Sequence, residues 1–326
     1  MKKNFGKILA CTGAAAMLTV SVLSGCSALG SAPTVAAETT TAAESTEAEN
    51  ETSAEETTGE ETMAEAESNE ASDGGSRLDE ILARGYIEVA TEPYFAPNEF
   101  IDPAKQGDDK YVGSDIELAH YIADKLGVEC RIIPLEFDAV LTGITDGKYD
   151  LAISALAYTP ARAEAMEMSI GYRFGEITQY GLLIRQEDAE TIKSADDLAD
   201  KVVVCQAGSL QELFATQQIP AMQELKRTSS SNDAYLTVQE EKADAAVVAK
   251  ETAQLYVDAN PEGKLMVVPD FAFETDESTQ GTRIGITKGE TALLNKVNEI
   301  LEELVPTGQY DEWYEEYSEY ARSLGL

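Results

Sequence analysis

In the stretch DLAISALAYTPARAEAMEMS, residues 150–169, a guanidinium stands where a helix begins, Arg162 following Thr159-Pro160. Thr159 reads as an N-cap and Pro160 as the first helical residue. A cation in that first turn faces the positive end of the helix dipole, at a cost of about 0.3–1 kcal/mol. The placement makes chemical sense if Arg162 and the unpaired N–H groups of the helix start receive an anion together. A planar guanidinium fork grips a carboxylate in a bidentate way that Lys cannot match. A surface ion pair with a neighbouring carboxylate is the plainer alternative. The preceding strand ends in Ser154-Ala155-Leu156-Ala157, whose small residues let a ligand approach the backbone.

VVVCQAGSLQELF, residues 202–214, repeats the layout of strand, loop and helix. Gly208 lies in the loop, Ser209-x-x-Glu212 reads as a capping box, and the N–H groups of Ser209 and Leu210 are free to meet an anion. One such junction is commonplace. Two of them, with an arginine in only one, point to a ligand carboxylate held between them. Other chemistry finds little support. The chain has one histidine, His120, inside the helical run IELAHYIADKL. Cys130 and Cys205 sit in apolar strand-like runs and read as free buried thiols, and with one His and two Cys a zinc site of standard ligation is not expected. No Ser/His/Asp arrangement or phosphate-cradling glycine loop is present, and no cofactor is expected.

The elements that must position these groups alternate, as in α/β proteins with mostly parallel sheets. YIEVAT, CRIIPL and YDLAISAL read as strands, with helices in SDIELAHYIADKLGV and FDAVLTGITDG; Ser114-x-x-Glu117 suggests a capping box for the first helix. A second series follows TQYGLLIR: DKVVVCQ, DAAVVA and KLMVVP as strands, SLQELFATQQ, NDAYLTVQEEKA and ETAQLYVDAN as helices. RIGIT then leads into TALLNKVNEILEELV and an aromatic-rich end. Two series joined near 180–184 and 282–286 predict two α/β lobes whose strand ends face each other across a cleft.

The ends of the chain carry different information. MKKNFGKILACTGAAAMLTVSVLSGC has a basic start and an apolar run too short to span a membrane, hence a signal peptide over residues 1–25. Leu23-Ser24-Gly25-Cys26 resembles the lipobox of bacterial lipoproteins, which implies cleavage before Cys26 and acylation there, palmitate included. Residues 26–76 hold thirteen acidic residues among Ala, Thr and Ser, and after Cys26 no Lys, Arg or aromatic residue, so they read as a lipidated Cys plus a disordered acidic linker. The formal net charge of −36 argues against a nucleic-acid partner.

From about Leu78 to the C-terminus the chain resembles the family 3 solute-binding proteins of ABC importers. The resemblance rests on LDEILARGYIEVATEPYFAPNEF, YVGSDIELAHYIADKLGV, FDAVLTGITDGKYDLAISALAYTPARAEAMEMSIGY, VVVCQAGSLQE, ADAAVVAKETA and LLNKVNEILEELVPTGQYDEWYEEY, in that order. It implies an α/β, bilobal type II periplasmic-binding-protein fold, two lobes joined by a two-strand hinge, with residues 77–182 and 286–326 in lobe 1 and 183–285 in lobe 2. It implies that Arg162 grips a ligand α-carboxylate, that Ser209 and Leu210 donate N–H groups to it, and that Ala155 and Ala157 contribute main-chain groups. Phe95 and Phe137 would sandwich the ligand side chain, and Glu92 would lie near its polar end.

In one place the sequence departs from the family. Members carry an aspartate after the strand in DAVVVD, where it pairs with the ligand ammonium; here the run is DAAVVA and the position is Ala249. Glu92 or Glu251 is left to supply the counter-charge. The expected protein is thus a monomeric receptor on the extracytoplasmic face of the cell membrane. It is lipid-anchored and delivers a small-molecule ligand, an amino acid, to an ABC permease. The rival readings are a tethered amino-acid sensor or adhesin, and a cyclohexadienyl dehydratase-like enzyme with Glu92 as general acid.

Overall fold

A computed structural model describes residues 75–174, 178–276, 279 and 281–326. The leader, Cys26 and nearly all of the acidic linker lie outside the described residues. Among those described, no helix is long and apolar enough to cross a membrane.

The first lobe starts with α1 (Arg77–Arg84) and β1 (Tyr86–Thr91). A three-stranded sheet follows, β2 (Tyr94–Phe95), β3 (Glu99–Ile101) and β4 (Tyr111–Val112). Then come α2 (Ser114–Leu126), β5 (Glu129–Pro134), α3 (Phe137–Thr145), β6 (Leu151–Ala157), α4 (Pro160–Ala165) and β7 (Met166–Met168). The second lobe holds β8 (Tyr180–Arg185), β9 (Val202–Gln206), α5 (Leu210–Gln218), β10 (Glu224–Thr228), α6 (Ser231–Gln239), β11 (Ala245–Ala249), α7 (Lys250–Ala259) and β12 (Leu265–Val267). β13 (Thr282–Thr287), α8 (Thr291–Leu304) and α9 (Gln309–Leu324) return to the first lobe.

The two large sheets have the orders β5-β1-β6-β13-β7 and β10-β9-β11-β8-β12. In each, three strands run parallel and a strand from near a crossover is antiparallel to them. Pairing moves the lobe boundaries from those expected. Residues 180–182, assigned to lobe 1, pair in the second sheet, and 283–285, assigned to lobe 2, pair in the first. Both crossovers therefore precede the strands that were read as the connections.

The second lobe shows how its strands bury both faces. Leu182, Ile184, Val203, Cys205, Ala245 and Val247 pack on the α5 side, while Leu183, Val204, Ala246 and Val248 pack against α6 and α7. Successive side chains point to opposite faces, so a continuous apolar run serves a sheet covered on both sides. The polar ELKRT of β10, not read as a strand, fits the sheet edge, where charge is tolerated.

Two caps differ from expectation. Ser114 is the first helical residue of α2, with Gly113 as its N-cap. The first N–H groups are met by backbone: Ser114 donates to the Pro97 carbonyl at 3.1 Å and Asp115 to Asn98 at 2.8 Å. A Cβ on Gly113, at φ +133°, would lie 2.1 Å from the Asn98 oxygen, so only glycine fits. Ser76, counted with the linker, is the N-cap of α1 in a capping box with Asp79.

Buried Asp150, just before β6, ties α1 to the sheet. It accepts from Arg77 Nε at 2.7 Å, from Arg84 and from the Glu88 N–H at 2.7 Å. We expect Asp150→Ala to cost about 3 kcal/mol, the low end for breaking a buried pair, because both arginines keep some solvent contact. The urea midpoint, at unchanged slope, checks this.

Candidate functional site

A cavity of about 120 Å³ lies between the lobes, at the carboxyl ends of β1 and β6 on one side and of β9 and β11 on the other. At roughly 10–15 Å³ per water on this measure it has room for a solute of amino-acid size. Phe95, Phe137 and Tyr180 supply apolar wall.

Arg162 lines the cavity. Thr159 caps α4, accepting from the Arg162 N–H at 3.1 Å, with Pro160 at the first helical position, as the sequence indicates. The side chain is 9% exposed, which rules out a surface ion pair. Its Nη1 donates to the Ala157 carbonyl at 2.8 Å and its Nη2 to the Gly208 carbonyl of the other lobe at 3.1 Å. The Phe137 ring lies 5.5 Å from the guanidinium carbon. Among the described residues no carboxylate forms an ion pair with it, and burial pulls its pKa down to about 10. Ser209 N-caps α5, accepting from the Glu212 N–H at 3.2 Å. The expected capping box is displaced: Glu212 Oε2 takes the N–H of Gly208, at 2.8 Å, rather than that of Ser209. Ser209 and Leu210, at this helix start, line the cavity.

Buried carboxyls line the same cavity. Glu92 and Glu99 are each 1% exposed and line the cavity. Ser154 Oγ links them, accepting from the Glu92 N–H at 3.1 Å and donating to Glu99 Oε1 at 2.8 Å. Burial pushes both carboxyls well above the usual range; the Gln206 side chain beside Glu92 acts the other way, and Asp115 and Glu92 raise Glu99 further. Asp115 in turn accepts from Tyr310 at 2.5 Å, Tyr172 at 3.0 Å and the Ala155 N–H at 2.7 Å.

The structure thus brings Glu92, Phe95, Phe137, Ala155, Ala157, Arg162, Ser209 and Leu210 to one cavity. Glu251 reaches its mouth, exposed, against the Tyr314 hydroxyl. Ala249 is the N-cap of α7 with no side chain to cap it. Sequence reasoning missed Glu99, Gln206 and Arg173, which also line the cavity. A glutamate between Asn98 and Phe100 carries no local mark of burial. Elsewhere, His120 is exposed, and Cys130 and Cys205 are free thiols pushed up to about 12 by burial.

Two α/β lobes with a buried arginine and buried carboxyls in the cleft between them define a bilobal solute-binding protein. The model of the bacterial extracellular solute-binding proteins, family 3, matches residues 87–320, and the chain belongs to that family. It is 26% identical over 245 residues to the arginine-binding extracellular protein ArtP of Bacillus subtilis, covering 75% of this chain and 87% of that one. It is 26% identical over 232 residues to the L-cystine-binding protein TcyJ of Escherichia coli K12, covering 71% and 82%. Among solved structures it resembles the substrate-binding protein AbpA of Streptococcus pneumoniae bound to L-arginine, with TM-score 0.67, 30% identity and coverage of 74% and 98%. It also resembles an ancestral amino-acid-binding protein, a precursor of cyclohexadienyl dehydratase, with TM-score 0.63, 30% identity and coverage of 74% and 99%.

Ala155 adopts φ +47°, the left-handed region, held by the bond from its N–H to Asp115. Ala155→Val should cost about 1–3 kcal/mol, since a β-branched residue is poorly tolerated there, while Ala155→Gly should be accepted. Paired urea titrations of the two variants decide it.

Proposed function

We propose that this protein is the extracytoplasmic receptor of an ABC importer, closing its two lobes over one amino acid and presenting the closed form to a membrane permease. One observation carries the reading: a buried guanidinium whose bonds go to carbonyl oxygens only, beside a helix start, in a cavity of amino-acid size. A carboxylate is the anion whose shape matches that fork. Ser209 and Leu210 add N–H donors from the second lobe, Ala155 and Ala157 offer main-chain groups, and Phe95 and Phe137 flank the side chain. Glu92 or Glu251 stands in for the aspartate missing at Ala249. Cys26 is assigned as the lipidated anchor and the acidic segment after it as a tether, holding a monomeric receptor at the cell membrane. Relatives that bind arginine or cystine support the class of solute. The reading is non-catalytic: Glu92 serves as a binding group, not as a general acid.

The test is a thermal-shift screen of protein unfolded and refolded to strip co-purified solute. It would span the twenty amino acids, ornithine, citrulline, cystine and simple carboxylates. A ligand at 100 times its dissociation constant should add about 2.7 kcal/mol, a shift of several degrees. Silence from every amino acid would reject the proposal. For the ligand found, Arg162→Ala should weaken binding by about 2 kcal/mol or more, because a buried carboxylate loses its main partner. Calorimetry showing retained affinity would remove the carboxylate clamp.

A further inference from the structure

The cavity holds a second arginine that the carboxylate clamp does not use. Arg173, where the chain first passes between the lobes, also lines it. Its carbonyl accepts from the Thr282 N–H at 3.1 Å, which ties the two crossovers together. Its guanidinium carbon lies 3.5 Å from the centre of the Tyr314 ring. The side chain is 17% exposed, and its Nε is buried with no hydrogen-bond partner. The Asp311 carboxylate stands 3.9 Å from that nitrogen, beyond hydrogen-bond reach, and is 65% exposed. A pair of that kind contributes little. Glu251 meets Tyr314 at its hydroxyl and forms no ion pair with Arg173 among the described residues. An arginine stacked on a ring is held by its face and keeps the N–H groups of its edge for another acceptor.

We infer that Arg173 is a specificity-determining residue that receives a second carboxylate, and that the ligand of this cleft is an amino acid with a carboxylate on its side chain. The inference rests on the amino-acid reading above and adds the side-chain class. Arg162 would take the α-carboxylate and Arg173 the other, each through a fork that a carboxylate matches in shape.

The charge of the cavity points the same way. Burial favours the protonated, neutral form of Glu92 and Glu99. That leaves two guanidiniums against the Glu251 carboxylate among the described lining residues, an excess of positive charge. An amino acid with a neutral side chain carries no net charge and leaves that excess in place. One with a second carboxylate is a net anion and offsets it. A neutral side chain would also leave Arg173 Nε buried without an acceptor, and a cationic one would add repulsion.

The experiment is calorimetric titration of the full-length chain, purified in detergent and stripped of solute by unfolding and refolding. The ligands are two acid–amide pairs, L-glutamate with L-glutamine and L-aspartate with L-asparagine, and L-arginine as the cationic comparison. In at least one pair the acid should bind at least about tenfold tighter than its amide, the least expected of hydrogen bonds to a charged group. L-Arginine should bind more weakly than that acid. Arg173→Gln should abolish the preference by weakening the acid while leaving the amide nearly unchanged. Arg173→Lys, which keeps the charge without the fork, should retain part of it and carries the comparison if Arg173→Gln does not fold. Equal affinities within both pairs, tighter binding of L-arginine, or a preference that survives Arg173→Gln would each overturn the inference while leaving the amino-acid reading intact. So would equal weakening of acid and amide by that variant, or silence from both acids while another amino acid stabilises the protein. No heat from any of these ligands, with the protein shown folded by circular dichroism and no other amino acid stabilising it, would overturn both. The wild-type comparison of acid with amide tests the side-chain class even if neither variant folds.

Discussion

A guanidinium cannot be taken out of water for nothing: the effective penalty for burying an ion is several kcal/mol. The cleft is organised around this constraint. Arg162 loses its water to Phe137 and the surrounding wall, and recovers part of its solvation from two carbonyl oxygens. One of these, on Ala157, belongs to its own lobe; the other, on Gly208, belongs to the opposite lobe. The cation is therefore best satisfied when the lobes meet.

The direction of the Ala157 carbonyl depends on what lies beneath β6. Asp115 accepts the Ala155 N–H and holds that residue in the left-handed region. Asp115 is itself held by Tyr310 of α9 and by Tyr172. Tyr310 also meets Ser114 and Asn98. A polar knot inside lobe 1 thus joins α2, α9 and the loop before β3 to the strand that presents the site. Such networks rigidify when every member is satisfied and are costly when one is lost.

Much of this was legible in the sequence, for identifiable reasons. The central strands of both lobes declare themselves because buried parallel strands are apolar throughout, unlike the polar edge strand β10, and Thr159-Pro160 marks a helix start by chemistry that is local. Arg162 stood out because a cation there conflicts with the dipole. What sequence could not supply was long-range. Glu99 looks like a surface glutamate until β3 folds under Ser154, a residue 55 positions away. Ser114 looks like a cap until the Pro97 and Asn98 carbonyls take over that task. The lobe boundaries were misplaced by a few residues, because a strand beside a crossover looks the same whichever sheet receives it.

The chain enters and leaves through the first lobe, and this sets an order in time. All strands of the second large sheet come from one continuous stretch, residues 180–267, and can associate as soon as that stretch exists. The first lobe must wait. Its sheet lacks β13, the strand between β6 and β7, until the second lobe has been made, and α8 and α9 come later still. Until then one side of β6 is an open edge, and Asp115 has no Tyr310 to bind. In a chain delivered from its N-terminus, the half that carries the arginine is begun first and finished last. The interval between is when this protein is most exposed to mispairing.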